Sequence, residues 1–219
     1  MIHVFAFLVA RRDRSHAEFR DYWRHDHIPS VTRLYAEAGN GGVPMPDMLG
    51  YHQNPATEAS ACGGAGGYDG FAEFWLEDEA AFEQMLASGR VAASVGDDPN
   101  FLACPPEWTG TRERVLLDGH GPRKLIRLLR RRTGVSREAF RDLLAADHAE
   151  RMAGAPGVAG YARNLVIDAA YRLAAPKWDA IEEFRLAEGA ALPPPGALRD
   201  VLDAALELEV DEAVMAPRS

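Results

Sequence analysis

Short apolar runs along the chain alternate with amphipathic segments, and this pattern predicts the order of strands and helices. Residues 2–9 are almost continuously apolar, which predicts a buried strand. Ser15 and Glu18 have the spacing of a capping box, so we expect a helix to begin there. This helix should end near His27, because Pro29 disfavours helical backbone at the residue before it. The first half is completed by strands at residues 50–54 and 70–77 and a second helix at residues 78–88.

The second half of the chain repeats this order. The pattern predicts a strand at residues 124–130, a helix at 136–152, strands at 158–167 and 178–186, a helix after the prolines at 193–195 and a last strand near 210–215. Between the halves we expect a further strand at residues 113–117. Each half therefore has the β-α-β-β-α-β order of a ferredoxin-like domain, and we place the two domains at residues 1–112 and 113–219.

Sequence similarity between the halves indicates an internal repeat. Residues 15–27 align with residues 136–148 and share Ser, Phe, Arg, Asp and His, while residues 50–74 align with residues 160–184 and share Gly, Tyr, Asn, Asp, Glu and Phe. In a ferredoxin-like domain two helices cover one face of the sheet, so the bare face needs a partner. The predicted fold class is α+β, with two tandem ferredoxin-like domains that form an intramolecular barrel around a cavity.

Composition argues against several classes of function. The chain has 24 Lys and Arg residues against 33 Asp and Glu, a net charge of −9, which is poorly matched to nucleic acid. Two cysteines are too few for a disulfide framework, and no Cys-x-x-Cys or Cys/His cluster indicates zinc. No apolar run approaches the ~18 residues that cross a bilayer, and the first residues do not resemble a signal peptide. We expect a cytoplasmic protein that binds neither nucleic acid nor membrane.

His27 is the first candidate for chemistry. On a helix it shares a face with Trp23 and Phe19, because the three residues are spaced four apart. Its imidazole can act as a general acid or base, since the ordinary pKa of histidine is near neutral. The alternative is a structural histidine that binds the free carbonyls of the helix end, and its repetition as His148 favours this alternative. No metal site is expected, because His25 and His27, two residues apart, cannot readily share one ion.

Other side chains suit either a site or the core. Arg127 lies on an apolar strand face, where it either binds an anionic substrate or pairs with a core acid such as Glu183. The sequence contains no phosphate-binding loop and no dinucleotide fingerprint. Four aromatic residues combine an apolar ring with a polar atom, which suits a pocket wall as well as ordinary core packing: Tyr22, Tyr51, Tyr68 and Trp75.

Residues 19–29 carry a recognisable motif. Tyr22-Trp23, His27 and Pro29 have the spacing Tyr-Trp-x-x-x-His-x-Pro, and two later segments, residues 50–54 and 68–75, agree with it. In these features the first half resembles the EthD family of the dimeric α+β barrel superfamily.

The second half departs from that motif. Leu143-Leu144 stand in place of the Tyr-Trp pair, and Glu150 stands in place of the proline. Most members of the family are single domains that dimerise, so the chain resembles a fused pseudo-dimer with one degenerate half and one working site. Homodimerisation of the fused chain is left open.

The resemblance implies an enzyme that acts on a small hydrophobic carbonyl or ring compound in the barrel cavity. The expected chemistry is proton transfer without a cofactor, as in dehydration, cyclisation, isomerisation or decarboxylation, which are reactions of lyases and isomerases. His27 would be the acid or base, with Tyr22 or Tyr51 stabilising a developing oxyanion. The residues expected to contact the substrate are Phe19, Trp23, Tyr68, Trp75, Arg127 and His148.

Two other functions remain in view. The first is a non-catalytic metabolite-binding or accessory protein that serves an oxidative degradation or biosynthetic pathway. The second is a haem- or O₂-dependent oxidoreductase of the same superfamily.

Overall fold

The computed structural model describes residues 1–29, 48–60, 67–87, 96–173 and 176–216. Within these ranges the strands are β1 (Ile2–Leu8), β2 (Met48–Pro55), β3 (Gly70–Leu76), β4 (Glu107–Leu117), β5 (Arg123–Arg131), β6 (Val158–Val166), β7 (Ala180–Leu186), β8 (Leu202–Val210) and β9 (Ala213–Ala216). The helices are α1 (His16–Tyr22), which continues as a π-type turn (Trp23–His27), α2 (Glu79–Ala87), α3 (Arg137–Ala145), α4 (Asp147–Ala153) and α5 (Asp168–Leu173), with 3-10 turns at Asp98–Asn100 and Gly196–Val201.

The chain divides into two compact units, residues 1–110 with 212–219 and residues 111–211. The strand order is β4-β1-β3-β2-β9 in the first unit and β8-β5-β7-β6-β4 in the second. β4 is part of both orders because it begins in the first unit and ends in the second. The strand pairs β1–β3, β2–β3, β5–β7 and β6–β7 are antiparallel, and helices separate strands along the chain. The predicted α+β class is therefore confirmed, while the domain limits at residues 112 and 113 stay a prediction.

β3 lies at the centre of the first unit's sheet. It pairs with β1 from Ile2↔Leu76 to Leu8↔Gly70. On its other side it pairs with β2, where His52 stands directly opposite Glu73. β9 in turn covers the other edge of β2, with His52 paired to Val214. The last described strand of the chain is thereby part of the first unit.

One face of this sheet packs against α1. Ala6 of β1 lies in a buried cluster with Phe19 and Trp23 of the helical segment. Because successive side chains of a strand point to opposite faces, the neighbouring Phe5 lies on the face away from α1. There its ring contacts Phe71 of β3 at a centroid distance of 5.8 Å. The sheet therefore has apolar side chains on both faces.

α1 begins as predicted, but the helical backbone does not end near His27, because residues 28 and 29 are again helical after the π-type turn. The Ser15 hydroxyl accepts a hydrogen bond from the Glu18 N–H at 3.2 Å, and the Glu18 carboxylate accepts one from the Ser15 N–H at 2.7 Å. These two bonds complete the predicted capping box. After Tyr22 the backbone widens into the π-type turn, a rare conformation that is frequent at functional sites.

The second unit differs from the sequence prediction in its helices, and one of them, α5, is not predicted at all. The helix predicted after the prolines at 193–195 is only the 3-10 turn, and residues 202–210 form β8, which pairs with β5. Ala, Leu and Glu favour helices, but residues 206–210 alternate apolar and acidic side chains, which fits a strand with one buried face. The helix predicted at residues 136–152 is interrupted at Ala146. No helix in the described ranges has the length and apolar character needed to span a membrane.

The packing of Trp23 predicts a large effect on stability. Its side chain is 2% exposed, so the Trp23→Ala variant leaves a cavity between α1 and the sheet. We expect the free energy of unfolding to fall by about 3–5 kcal/mol, measured by urea denaturation followed by circular dichroism. His25→Ala is the matched control, since the His25 side chain is 65% exposed, and it should cost less than about 0.5 kcal/mol. Equal losses in the two variants would contradict this packing.

Candidate active site

Three polar side chains converge on one carboxylate beside the end of the π-type turn. Nδ1 of His27 lies 2.7 Å from Oδ2 of Asp97. The Tyr22 hydroxyl donates to Oδ1 of Asp97 at 2.9 Å, and the Asn100 amide donates to the same oxygen at 2.9 Å. Asp97 thus binds a histidine and a tyrosine that belong to the sequence motif, and in this way the structure brings His27 and Tyr22 together.

Local backbone structure explains why these groups meet. Tyr22 is the last residue of α1 and His27 the last of the π-type turn, whereas Asp97 immediately precedes the 3-10 turn. Phe101, which is 1% exposed, lies beneath both rings, at centroid distances of 5.4 Å from Tyr22 and 4.8 Å from His27. The Arg14 guanidinium covers the Tyr22 ring at 4.8 Å. Aromatic packing therefore supports the hydrogen-bonded cluster.

The environment sets the charge of each group in this cluster. Burial lowers the pKa of His27, although the hydrogen bond and negative charge of Asp97 oppose this effect. Burial also opposes ionisation of Asp97, but the hydrogen bonds from Asn100, His27 and Tyr22 outweigh it and lower the pKa of Asp97. Burial and the bond to Asp97 raise the pKa of Tyr22, so its hydroxyl keeps its proton. At neutral pH the cluster contains an ionised Asp97 and a neutral His27.

This arrangement leaves one nitrogen of His27 for chemistry. A neutral imidazole that donates its Nδ1 proton to Asp97 carries a lone pair on Nε2. Across the described part of the chain, no hydrogen-bond partner lies at Nε2. A carboxylate on the far side of the ring fixes the tautomer and stabilises the imidazolium that forms when Nε2 takes a proton. The geometry is suited to general base catalysis.

Asp98 adds a second titratable group next to Asp97. Burial and the neighbouring negative charge of Asp97 raise the pKa of Asp98 to about 7. Among the described residues its Oδ2 is buried without a hydrogen-bond partner, which is consistent with a carboxyl group that is partly protonated at neutral pH.

Tyr51 lies in the core of the first unit. It is 7% exposed, its ring stacks on Phe74 at 5.0 Å, and its hydroxyl accepts a hydrogen bond from Gln53 at 3.1 Å. Burial raises the pKa of this hydroxyl well above its ordinary value. Within the described ranges no hydrogen bond joins Tyr51 to His27 or Asp97, although Tyr51 belongs to the same buried cluster as Phe101.

The other aromatic residues predicted to contact substrate are packed in the first unit as well. Phe19 and Trp23 contact each other at a centroid distance of 5.6 Å in the cluster beneath α1. The Tyr68 hydroxyl donates to Glu107, and its ring stacks on Phe7. Trp75 lies on the sheet face away from α1, where its ring contacts the rings of His3 and His52. Core packing therefore accounts for the burial of all four side chains.

In the second unit Arg127 pairs with acids. Its guanidinium lies 3.4 Å from Glu182 and 2.9 Å from Glu207, and it also donates to the carbonyl of Pro193. Glu183, given above as an example of such an acid, is not the partner, because the residue directly opposite Arg127 on β7 is the adjacent Glu182. Of the two interpretations of Arg127, the contacts favour the pair with a core acid.

His148 belongs to the same buried cluster. Its Nε2 lies 2.7 Å from Glu182, and its Nδ1 accepts a hydrogen bond from Arg151 at 3.1 Å. Tyr161 donates to the same oxygen of Glu182 at 2.6 Å. Both nitrogens of His148 are therefore engaged, unlike those of His27.

Sequence reasoning missed Asp97, Asn100 and Phe101. Asp97 is separated from His27 by 70 positions in sequence, and no motif links them. The only local signal is the segment from Asp97 to Asn100, Asp-Asp-Pro-Asn, which is typical of a turn. A surface depression of about 270 Å³ lies along the outer side of α1, where His16, Arg20 and His25 line it, and His27 is not part of it.

Comparisons with known proteins agree with the motif and the fold. Residues 11–103 match the family model of the EthD domain. No curated protein matches the chain significantly. A structural neighbour described as a putative monooxygenase from Lactobacillus acidophilus NCFM has a TM-score of 0.50 at 11% identity, covering 99% of this chain and 98% of its own.

Two further structures are similar over the whole chain. A putative monooxygenase from Fusobacterium nucleatum subsp. nucleatum ATCC 25586 has a TM-score of 0.51 at 10% identity, covering 100% of this chain and 97% of its own. An anthrone oxidase-like protein has a TM-score of 0.57 at 9% identity, covering 100% of this chain and 94% of its own. At these identities the similarity shows the fold alone. The chain thus combines a match to the EthD domain over residues 11–103 with a fold that it shares along its whole length with these proteins.

Proposed function

We propose that the chain is an enzyme that removes a proton from a small hydrophobic carbonyl or ring compound, with Nε2 of His27 as the general base. The observation that carries the proposal is the Asp97 carboxylate, 2.7 Å from Nδ1 of His27. With Nδ1 bonded to Asp97, the lone pair on Nε2 lies on the other side of the ring, where the described part of the chain places no hydrogen-bond partner. A histidine that merely capped a helix would bind backbone carbonyls instead.

The other members of the cluster act through Asp97. Tyr22 and Asn100 each donate to Oδ1, which leaves Oδ2 for His27. Tyr22 is therefore a positioning residue in this proposal, whereas the sequence analysis gives it the role of holding an oxyanion. The same role for Tyr51 stays a prediction, and its buried hydroxyl supports packing rather than catalysis.

The chemistry follows from a base next to an acidic C–H bond. Nε2 takes a proton from the carbon beside a carbonyl group, and the electron pair of that bond moves to form an enolate. Return of the proton to a different carbon completes an isomerisation, and loss of hydroxide from the neighbouring carbon completes a dehydration. Both outcomes balance without an oxidant or reductant.

A second candidate is oxygenation, which the names of the three structural neighbours favour. The same deprotonated compound, if it is an electron-rich ring, can react with O₂, so that a CH₂ group and O₂ become a carbonyl group and water. An oxygen electrode separates the two candidates, since isomerisation and dehydration consume no O₂.

The proposal predicts the effect of substitutions at the base and its partner. In D₂O the wild-type chain should exchange α-protons in one or more members of a panel of cyclic and linear β-dicarbonyl compounds, followed by proton NMR. His27→Gln should slow this exchange by about 10²–10⁴-fold, because a general base contributes this much. Asp97→Asn should slow it as well, because an amide does not fix the required tautomer. His25→Ala is the control and should retain the wild-type rate.

Two results would count against this assignment. Exchange at the wild-type rate in His27→Gln would show that another group is the base. Retained affinity for a bound panel compound, with no exchange in the wild-type chain, would favour the metabolite-binding alternative.

The pH dependence gives an independent prediction. A general base acts in its neutral form, so kcat/KM should rise with pH through the pKa of His27 and level off above it. Because burial lowers that pKa, the midpoint should lie below 6.5, the ordinary value for histidine. In Asp97→Asn the midpoint should move to still lower pH, because Asp97 raises the pKa of His27.

Asp98→Asn distinguishes the two titrating groups. If the rise of kcat/KM with pH reflects the ionisation of His27, removing the carboxyl group of Asp98 leaves the midpoint of that rise below 6.5. A rise of kcat/KM with a midpoint near 7 in the wild type, absent from Asp98→Asn, would assign this rise to Asp98 and contradict the role of His27.

A further inference from the structure

The sheet face opposite α1 carries a group of metal-ligating side chains. Nδ1 of His52 lies 3.2 Å from Oε1 of Glu212 and 3.8 Å from Oε2 of Glu73. One donor atom from each of the three residues lies within 4.8 Å of the other two. From this geometry we propose that His52, Glu73 and Glu212 bind one divalent transition-metal ion. The proposal is independent of the chemistry assigned to His27.

The backbone holds the three donors in this position. His52 and Glu73 are directly opposite each other on β2 and β3, a register in which side chains of one face are in contact. Glu212 immediately precedes β9, which pairs with β2 at His52 and Val214. Three different segments of the first unit therefore converge on one point, and strand pairing rather than loop geometry determines their spacing.

The distances suit a transition-metal ion. Zn²⁺ binds histidine nitrogen and carboxylate oxygen at about 2.0–2.2 Å, which places neighbouring donors about 3–3.6 Å apart. The observed separations of 3.2 and 3.8 Å from His52 require only small side-chain movements. An imidazole donor favours Zn²⁺, and Mn²⁺ accepts this mixture of nitrogen and oxygen, whereas Mg²⁺ prefers oxygen and water.

The groups around Glu73 are those that support a ligating carboxylate. The side chain of Glu73 is fully buried, and its Oε2 accepts a hydrogen bond from Asn54 at 2.8 Å. Its other oxygen lies 3.3 Å from Nε2 of His3. The hydrogen bond from Asn54 is of the kind that orients a carboxylate ligand, and such bonds are part of most metal sites.

The site remains reachable from solvent. The side chains of His52 and Glu212 are 15% and 16% exposed, so an ion can enter without unfolding of the strand pair. With three protein donors, one or more coordination positions are left for water or a small anion. A site with an open coordination position can bind an ion that exchanges with solvent, as well as an ion that only stabilises the fold.

Calorimetric titration of the chelator-treated full chain with Zn²⁺ and with Mn²⁺ tests the proposal. We expect one ion per chain for at least one of the two metals, with much weaker binding of Mg²⁺. Glu212→Gln and His52→Ala should weaken binding more than tenfold, and Asn54→Ala about tenfold, because loss of a supporting hydrogen bond costs 10–100-fold. His25→Ala, which removes an exposed histidine, should bind as the wild type does.

Trp75 supplies a second readout at the same place. Its ring lies 4.7 Å from the ring of His52, so Mn²⁺ at the site should quench its fluorescence, and Trp75→Phe should remove most of that quenching. Absence of binding by both ions, or unchanged binding in Glu212→Gln and His52→Ala, would overturn the proposal. Destabilisation of the variants without any dependence on metal would show that the cluster is purely a hydrogen-bonded part of the fold.

Discussion

The alternation of side chains along β3 is the constraint on which the first unit depends. Ala72 joins the buried cluster beneath α1, whereas the next residue, Glu73, points to the other face and meets His52 across the β2 pair. A shift of one residue in the pairing would exchange the two faces completely. The packing of α1, and with it the contact of His27 with Asp97, therefore depends on the same register that places His52 beside Glu73 on the other face of the sheet.

The two units place a histidine and a tyrosine on a carboxylate in different ways. In the first unit that carboxylate is Asp97, which lies just before a turn, and His27 keeps one nitrogen without a partner in the described structure. In the second unit it is Glu182, at the position that aligns with Ala72, and both nitrogens of His148 are bonded. The aligned histidines thus differ in their bonding: in the described structure one nitrogen of His27 has no partner, whereas both nitrogens of His148 are bonded within a buried network.

Local signals in the sequence predict most of the first unit and part of its site. The capping box at Ser15, the strands and the motif residues Tyr22 and His27 all depend on neighbours within a few positions. Asp97 could not be predicted, because its approach to His27 depends on packing between segments far apart in sequence. The strand β8 was predicted as helical for a related reason: Ala, Leu and Glu favour helices locally, and only pairing with β5 decides against them. The π-type turn likewise has no signal in the residue pattern.

The position of β9 has a consequence for how this protein is made. β2 pairs with β3 on one edge and with β9 on the other. Because β9 follows the whole second unit in sequence, it is synthesised after that unit. Until then the nascent first unit presents the backbone N–H and C=O groups of β2 unpaired, and such an edge readily pairs with another chain. Between the synthesis of β4 and that of β9, the first unit can therefore associate with another chain through the unpaired edge of β2. In a fragment that ends after β4 this edge would stay unpaired.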